Sequence, residues 1–430
     1  MTYAQACLRL ESLRPARVRL GLERIHALLD QLGRPQRAFP GVLVVGTNGK
    51  GSTAAMLESI LRAAGYRTGL YTSPHLLSVR ERIQIAGRPL GRRRFAASFE
   101  RTLAGARRLP RALGSITYFE ALSAAGFLAF AQERVDIAVV EVGLGGRFDA
   151  TNTFDPILTI LTTVSLDHQE YLGATVAKIA AEKAGVLHGQ PLLTGPLGPE
   201  ARAVVRTHCR EVGSQVLARG FASRLRPDRR GRFSFHWDRG SRPRRLRLAL
   251  AGRHQVDNAV LALSAADFLA HRGFPISSGA RRQGLLRVQW PGRLQLIPGH
   301  PPVLLDGAHN PAGMESLVRH LRRFHRGRPL VAVFGVTRRR AARGLLELLK
   351  PSLSAAVLTR VPGPRGLDPR ELLAESGNLP AAVEADPRRA LLRACALAPK
   401  GAMVLVSGSL YLVGEVLAAC GGVRNYALAA

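Results

Sequence analysis

The sequence predicts an α/β protein: a P-loop-containing, mostly parallel sheet domain followed by a smaller Rossmann-like α/β domain. Three observations carry this. Short apolar runs alternate with helical patterns over most of the 430 residues, as expected when parallel strands are covered by helices. One of those runs breaks into a glycine-rich turn that opens a helix. The alternation then restarts after Trp290-Pro291-Gly292, a breaker cluster. At about 150 residues per domain the length calls for two or three domains. We divide the chain into a first domain that carries the glycine-rich turn, 1–290, and a C-terminal domain, 291–430.

The elements follow in order. Val42–Val45 is an apolar strand, Thr53–Ala64 a helix and Thr68–Thr72 a strand. Thr117–Gln132 has apolar residues at helical spacing. Ile137–Val140 and Ile157–Val164 are strands, and Val176–Ala184 is a helix. Pro191–Leu193 and Gln215–Leu217 are short strands. Arg232–Leu250 is β-rich and Gln255–His271 helical. After the break, Val303–Leu305, Leu330–Phe334, Ala355–Leu358 and Met403–Val406 are strands. Pro311–Arg323, Arg340–Leu349 and the start of Pro369–Glu375 are helical. Gly401–Cys420 is the most apolar long stretch, but its serines, glycines and Glu415 read as strand, turn and helix rather than a membrane span.

Between the first strand and first helix lies Gly46-Thr47-Asn48-Gly49-Lys50-Gly51-Ser52. Glycines there let backbone N–H groups approach phosphate oxygens, and the helix N-terminus adds partial positive charge. Lys50 reaches the outer phosphates and Ser52 is placed for magnesium. The segment departs from the standard pattern in two ways. Val44 stands where its first glycine belongs, and Gly51 separates Lys50 from Ser52.

The net charge of +32 raises nucleic acid as a partner. The cations are nearly all arginines, spread through the chain with few aromatics for base stacking. The densest run, Arg224–Arg247, alternates Phe233, Phe235 and Trp237 with polar residues, the pattern of a hairpin with a solvated basic face. We therefore expect no nucleic acid and no membrane partner; a positive field suits anionic substrates. Lysine occurs only at Lys50, Lys178, Lys183, Lys350 and Lys400, so its use at Lys50 and Lys183 points to a compact or reactive amine. Scattered cysteines (Cys7, Cys209, Cys395, Cys420) fit a reducing compartment. The first residues lack signal-peptide order. A cytoplasmic protein is expected.

Ligands of open α/β sheets collect at the carboxyl ends of strands. Glu141 ends one strand beside a glycine turn, as a magnesium ligand would. Asp167-His168 follows the next. Ser73-Pro74-His75 follows Thr68–Thr72, and alone it is only a turn. Lys183 ends a helix, where it either complements the helix C-terminus or points toward the metal. Asp306-Gly307-Ala308-His309-Asn310-Pro311 forms a polar strand-to-helix turn in the second domain.

Together these segments resemble the bifunctional dihydrofolate synthase/folylpolyglutamate synthase family of the Mur ligase superfamily. The resemblance runs through Gly21–Ile25, Gly46–Ser52, Ser73–Leu76, Glu81–Ile83, Thr117–Glu120, Glu141–Arg147, Asp149–Asn152, Leu166–His168, Glu182–Gly185, Gly252–Gln255, Trp290–Arg293, Asp306–Pro311 and Gly408–Tyr411. It implies a Mur ligase-like fold and an ATP-dependent ligase. That ligase adds L-glutamate to dihydropteroate or to tetrahydrofolate polyglutamate through an acyl phosphate. A monomer is expected. By the resemblance, Thr47, Asn48, Gly49, Lys50, Gly51 and Ser52 hold the ATP phosphates, and Asn258, Arg293 and Asp306 contact ATP. Ser73, Glu141 and His168 ligate Mg2+. Lys183 matches a carbamylated lysine. Catalysis falls to Lys50, Lys183 and His168. Thr117, Tyr118, Phe119, Glu120, Phe148, Asp149 and Ala150 line the pterin site. His309 and Ser409 lie where the second domain closes on nucleotide and glutamate.

One departure stands out. Family members often carry Asp-Lys-Asp after the strand matching Leu330–Phe334, and here the chain reads Gly335-Val336-Thr337-Arg338-Arg339-Arg340. Two other readings compete: a cell-wall precursor ligase of the same superfamily, and a basic nucleotide-binding protein acting on nucleic acid. Ser73–Leu76 and Thr117–Glu120 favour the folate ligase.

Overall fold

The computed structural model describes residues 1–14, 21–239, 244–337, 339–363 and 366–421. Seven strands form the first sheet: β1 (Gly41–Val45), β2 (Thr68–Tyr71), β3 (Ile83–Ile85), β4 (Arg88–Pro89), β5 (Ile137–Glu141), β6 (Leu158–Leu161) and β7 (Leu192–Thr194). Their order is β4-β3-β2-β5-β1-β6-β7. The run from β2 to β7 is parallel, and β3 and β4 add an antiparallel edge.

Strand β1 lies inside the sheet and is buried on both faces, which is why it reads as an unbroken apolar run. Successive side chains point to opposite faces. Val42 and Val44 accordingly join one core with Leu57, Val139, Ile160 and Val260. Leu43 and Val45 join the other with Phe127, Val140 and Leu161. The helices Lys50–Ala63 and Arg253–His271 contribute to the first core, and Tyr118–Gln132 to the second.

The β-rich segment is a three-stranded antiparallel sheet, β8 (Phe221–Pro227), β9 (Arg232–Asp238) and β10 (Arg244–Ala251), in the order β10-β9-β8. Phe233, Phe235 and Trp237 are buried on one face of β9, as the alternation required. Strand β8 goes beyond the expected hairpin. Residues 240–243 of the arginine-rich run lie outside the described residues.

A third sheet comprises β11 (Gln295–Ile297), β12 (Val303–Leu305), β13 (Leu330–Phe334), β14 (Ala355–Leu358), β15 (Ala381–Val383) and β16 (Met403–Ser407), ordered β11-β12-β16-β13-β14-β15. All its pairings are parallel except β11 with β12. Arg338, in the stretch that departs from the family, lies outside the described residues.

Several helices go beyond those expected from the sequence, among them Arg92–Ala106, Pro199–Val212 and Ser278–Arg287. The last shows why. Gly284 faces Ile60 so closely that a Cβ there would stand 2.5 Å from the Ile60 Cα. Close backbone approach replaces large apolar side chains, and the apolar period fades. Strand β6 is shorter than the expected Ile157–Val164. It ends at Leu161 because Thr162 and Thr163 turn to the glycine loop, where their hydroxyls donate to the Asn48 carbonyl at 2.7 and 3.2 Å.

No described helix is long and apolar enough to cross a membrane. The four cysteines are free.

Candidate active site

The site is built at the carboxyl ends of β1, β5 and β6, with the third sheet facing it. After β1 the chain turns through Gly46 and Gly49, whose φ values of +150° and +86° suit glycine. Each glycine also makes room. A Cβ at Gly46 would sit 2.0 Å from the Thr162 hydroxyl, and one at Gly49 2.4 Å from Asn258 Oδ1. Helix Lys50–Ala63 starts directly after the turn. The intervening Gly51 has a tertiary cause: a Cβ there would stand 2.8 Å from the Trp290 ring. Trp290, at the join of the two units, thus packs on the first turn of the phosphate-loop helix.

Two lysines meet at this loop. Lys50 Nζ donates to the carbonyls of Gly46 and Thr47 at 3.1 and 3.3 Å. Lys183 Nζ donates to the same Gly46 carbonyl at 3.0 Å. Lys183 is only 4% exposed. Burial, then the neighbouring Lys50 ammonium, push its pKa down to about 7, against the pull of Asp167 and Asp149. Lys183 therefore does not act as a simple helix-end cation.

Glu141 ends β5, 3% exposed, and accepts a hydrogen bond from the Ser73 amide at 3.0 Å. Burial raises its pKa; Lys50, the Ser73 N–H, Arg293 and Arg82 only partly offset that. Asp167 follows β6. Burial would raise its pKa, but His168, His309, Asn310 and Lys50 together hold it below the ordinary value. His168 adopts a left-handed backbone at φ +48°, and its Nε2 lies 3.8 Å from Asp167 Oδ1. Ser52 accepts from Gln255 Nε2 at 3.3 Å, and Gln255 in turn accepts from Asn258 at 2.9 Å. This ties the loop helix to helix Arg253–His271.

From the other side, Asp306 accepts from the backbone N–H groups of Leu294 (2.9 Å) and Ala308 (3.0 Å); burial raises its pKa, and Arg293 and these bonds only partly offset that. Asn310 reaches across to Asn48 and Asp167, with its Nδ2 at 3.0 Å from each. The cleft between the units is lined by Gly51, Ser73, Glu141, Trp290, Arg293 and Leu410, among others.

Residues 44–266 match the Mur ligase middle domain, and residues 292–410 the Mur ligase glutamate ligase domain. The Bacillus subtilis dihydrofolate synthase/folylpolyglutamate synthase is 33% identical over 407 residues, 93% of this chain and 94% of that protein. The Mycobacterium tuberculosis counterpart is 37% identical, across 84% of this chain and 78% of its own. The chain belongs to the dihydrofolate synthase/folylpolyglutamate synthase family of Mur ligases. Solved structures agree. M. tuberculosis folylpolyglutamate synthase complexed with ADP and AMPPCP superposes with a TM-score of 0.90 at 32% identity, covering 97% of this chain and 99% of that one. Escherichia coli FolC in complex with DHPP and ADP gives 0.86 at 31% identity, covering 99% of each chain.

In this Mur ligase the residues expected from the sequence to line a pterin site divide by what they touch. Thr117 caps helix Tyr118–Gln132 in a reciprocal box with Glu120, and Glu120 also pairs with Arg24 at 3.0 Å. Asp149 holds its own turn, accepting from Leu144 and Thr151, and Ala150 is buried. Tyr118 is buried, with the Arg14 guanidinium 4.1 Å from its ring centre. Phe119 and Phe148 are the exposed rings of the set. His309 is exposed and sits 2.7 Å from the Gly307 carbonyl. Ser409 accepts from Tyr411 N–H as the cap of helix Leu410–Ala419.

Sequence reasoning passed over Thr162, Thr163 and Arg82 as individual site residues, and named Asp167 and Gln255 only within longer motifs. Two adjacent threonines ending an apolar strand beside the loop strand were the available signal for the first two. Arg82 had none. It is 1% exposed, donates to His75 Nδ1 at 2.9 Å and lies over the rings of Tyr118 and Phe119.

Proposed function

We propose that this protein is an ATP-dependent amide ligase joining L-glutamate to dihydropteroate, to (poly)glutamylated tetrahydrofolate, or to both, with release of ADP and phosphate. One observation carries this reading most directly. Lys50 and Lys183 converge on one glycine loop with Glu141 beside them, and Asp306–Asn310, after β12 of the third sheet, face it. Membership of the family supports the activity. The E. coli relative's complex with DHPP and ADP supports a pteridine acid and a nucleotide as substrates.

A carboxylate is a poor electrophile. In the proposed reaction its oxygen attacks the γ-phosphorus of ATP and the bond to ADP breaks, leaving an acyl phosphate. The glutamate amine then adds to the carbonyl carbon, phosphate leaves with the C–O electron pair, and nitrogen loses a proton. Lys50 neutralises charge at the transferring phosphoryl group, and Thr47–Ser52 orient it. Asn258, Arg293 and Asp306 place the rest of the nucleotide. Phe119 and Phe148 offer rings to the pteridine, and His309 and Ser409 face the incoming glutamate. Closure of the two units, divided near residue 291, keeps water from the acyl phosphate.

The residues also fit a hard divalent cation. Among the described residues no group of three or more His, Cys, Asp or Glu gathers, but Mg2+ commonly keeps waters and takes one or two carboxylates plus phosphate. Glu141 is buried, with an oxygen to spare beyond its bond to Ser73. Ser73, Glu141 and His168 would hold the ion, which would supply further charge neutralisation at the phosphates.

Lys183 suits carbamylation, because a pKa near 7 leaves much of the amine neutral at physiological pH and only the neutral amine adds to carbon dioxide. Stripping bicarbonate is expected to lower turnover reversibly, and turnover should fall as pH drops through about 7 and the ammonium forms. Intact mass and rate indifferent to carbon dioxide would rule the modification out.

The direct test of the function offers dihydropteroate and tetrahydrofolate separately with ATP and glutamate, and weighs the products. A glutamyl increment on either acid is expected, without stimulation by DNA or RNA. ATP turnover with neither product would refute the assignment.

A further inference from the structure

Asn310 uses its whole side-chain amide. Its Oδ1 accepts from the Gly313 N–H at 2.9 Å, capping helix Pro311–Phe324, and from Asn48 Nδ2 at 3.1 Å. Its Nδ2 donates to Asn48 Oδ1 and to Asp167 Oδ2, each at 3.0 Å. Two donors and two lone pairs are all that an amide has. The orientation is determined, because a flipped amide would set N–H against the Gly313 N–H and oxygen against the Asp167 carboxylate. Asn310 is 3% exposed, so each of these bonds lies where a lost partner is costly.

The partners lie far away in sequence. Asn48 is 262 residues distant and Asp167 is 143. Asn48 is the middle of the phosphate loop, and its backbone is already fixed by Thr163 (N–H to Oγ1, 3.0 Å) and Thr162 (Oγ1 to C=O, 2.7 Å). Asp167 accepts from the His168 N–H at 2.9 Å. A single side chain of the second unit therefore holds both the loop that would cradle the phosphates and the acid beside His168.

We propose that Asn310 is a positioning residue that makes the working placement of the Asn48 side chain and of Asp167 conditional on docking of the second unit. The proposal rests on the ligase reading for its catalytic consequence, but the coupling itself does not. When the units part, Asn48 and Asp167 lose their shared partner together. When they dock, both are set at once, so phosphoryl transfer is favoured only after the cleft has closed on its substrates.

The test uses the full-length protein with Asn310→Ser, Asn48→Ala and the double variant. Serine still caps the helix, so the fold is retained, but its hydroxyl is too short to span to Asn48 and Asp167. Melting temperatures of the nucleotide-free proteins form a double-mutant cycle. The double variant is expected to melt no lower than the worse single variant, and strictly additive losses would overturn the coupling. Should Asn310→Ser fold poorly, Asn48→Ala reads the same pair from the other side, with the same ligation assay. In that assay Asn310→Ser is expected to lose kcat by at least about tenfold, while its Kd for a non-hydrolysable ATP analogue stays within about threefold. A kcat within twofold of wild type would overturn the positioning role. A non-additive cycle in a wild-type protein that forms no amide would instead refute the ligase reading and leave the coupling standing.

Discussion

Lys50→Ala is expected to remove measurable amide formation, a loss of at least about a thousandfold in kcat, or about 4 kcal/mol of transition-state stabilisation. Lys50 is the loop's own cation, held by the Gly46 and Thr47 carbonyls at the mouth of the helix. Its ammonium is the charge placed to meet the outer phosphates. Truncation should not unfold the chain, because it leaves the two loop glycines and the threonine bonds to Asn48 intact. The substitution also removes the cation that helps depress Lys183, so the Lys183 pKa should move up toward its ordinary value. Acyl transfer assays beside circular dichroism decide the matter. A folded Lys50→Ala protein with wild-type turnover would remove the loop from the mechanism.

Glu141→Gln is expected to abolish product formation to a similar degree while leaving the protein as stable as before or more so. The sign follows from the direction of the shift. Burial sets the folded-state pKa of Glu141 above its ordinary value of 4.5, so folding favours the protonated form. As pH rises through 4.5, the unfolded chain ionises first, and stability is lost toward neutral pH. Glutamine cannot ionise, so it relieves that penalty, and its oxygen can still accept the Ser73 N–H. Lost activity with equal or higher Tm is the pattern of a group kept for chemistry at a cost in stability. Lower Tm with intact activity would assign Glu141 to structure instead.

Much of this could be read along the chain. Val42–Val45, Ile137–Val140, Leu330–Phe334 and Met403–Val406 are apolar runs because their strands are buried on both faces, and the periodicity of helices such as Val176–Ala184 is intact. Gly46, Gly49 and Lys50 sit where a strand–turn–helix needs them. The limits are equally specific. Helix Ser278–Arg287 is nearly illegible because it packs through Gly284. Gly51 breaks the standard phosphate-loop pattern because Trp290 lies on it. Thr117, Glu120 and Asp149 belong to segments that resemble a pterin site, yet their polar atoms are engaged in caps and an ion pair.

By itself the sequence determined the two α/β units, the glycine loop between strand and helix, and the family, since these depend on local periodicity, turn chemistry and ordered motifs. Only the tertiary structure decided that Lys183 shares a carbonyl with the loop and titrates near 7, that Glu141 is buried beside Ser73, and that Asn310 binds Asn48 and Asp167 together. Those properties come from desolvation and from hydrogen bonds between residues far apart in the chain. Both depend on distance in space, which local pattern does not encode.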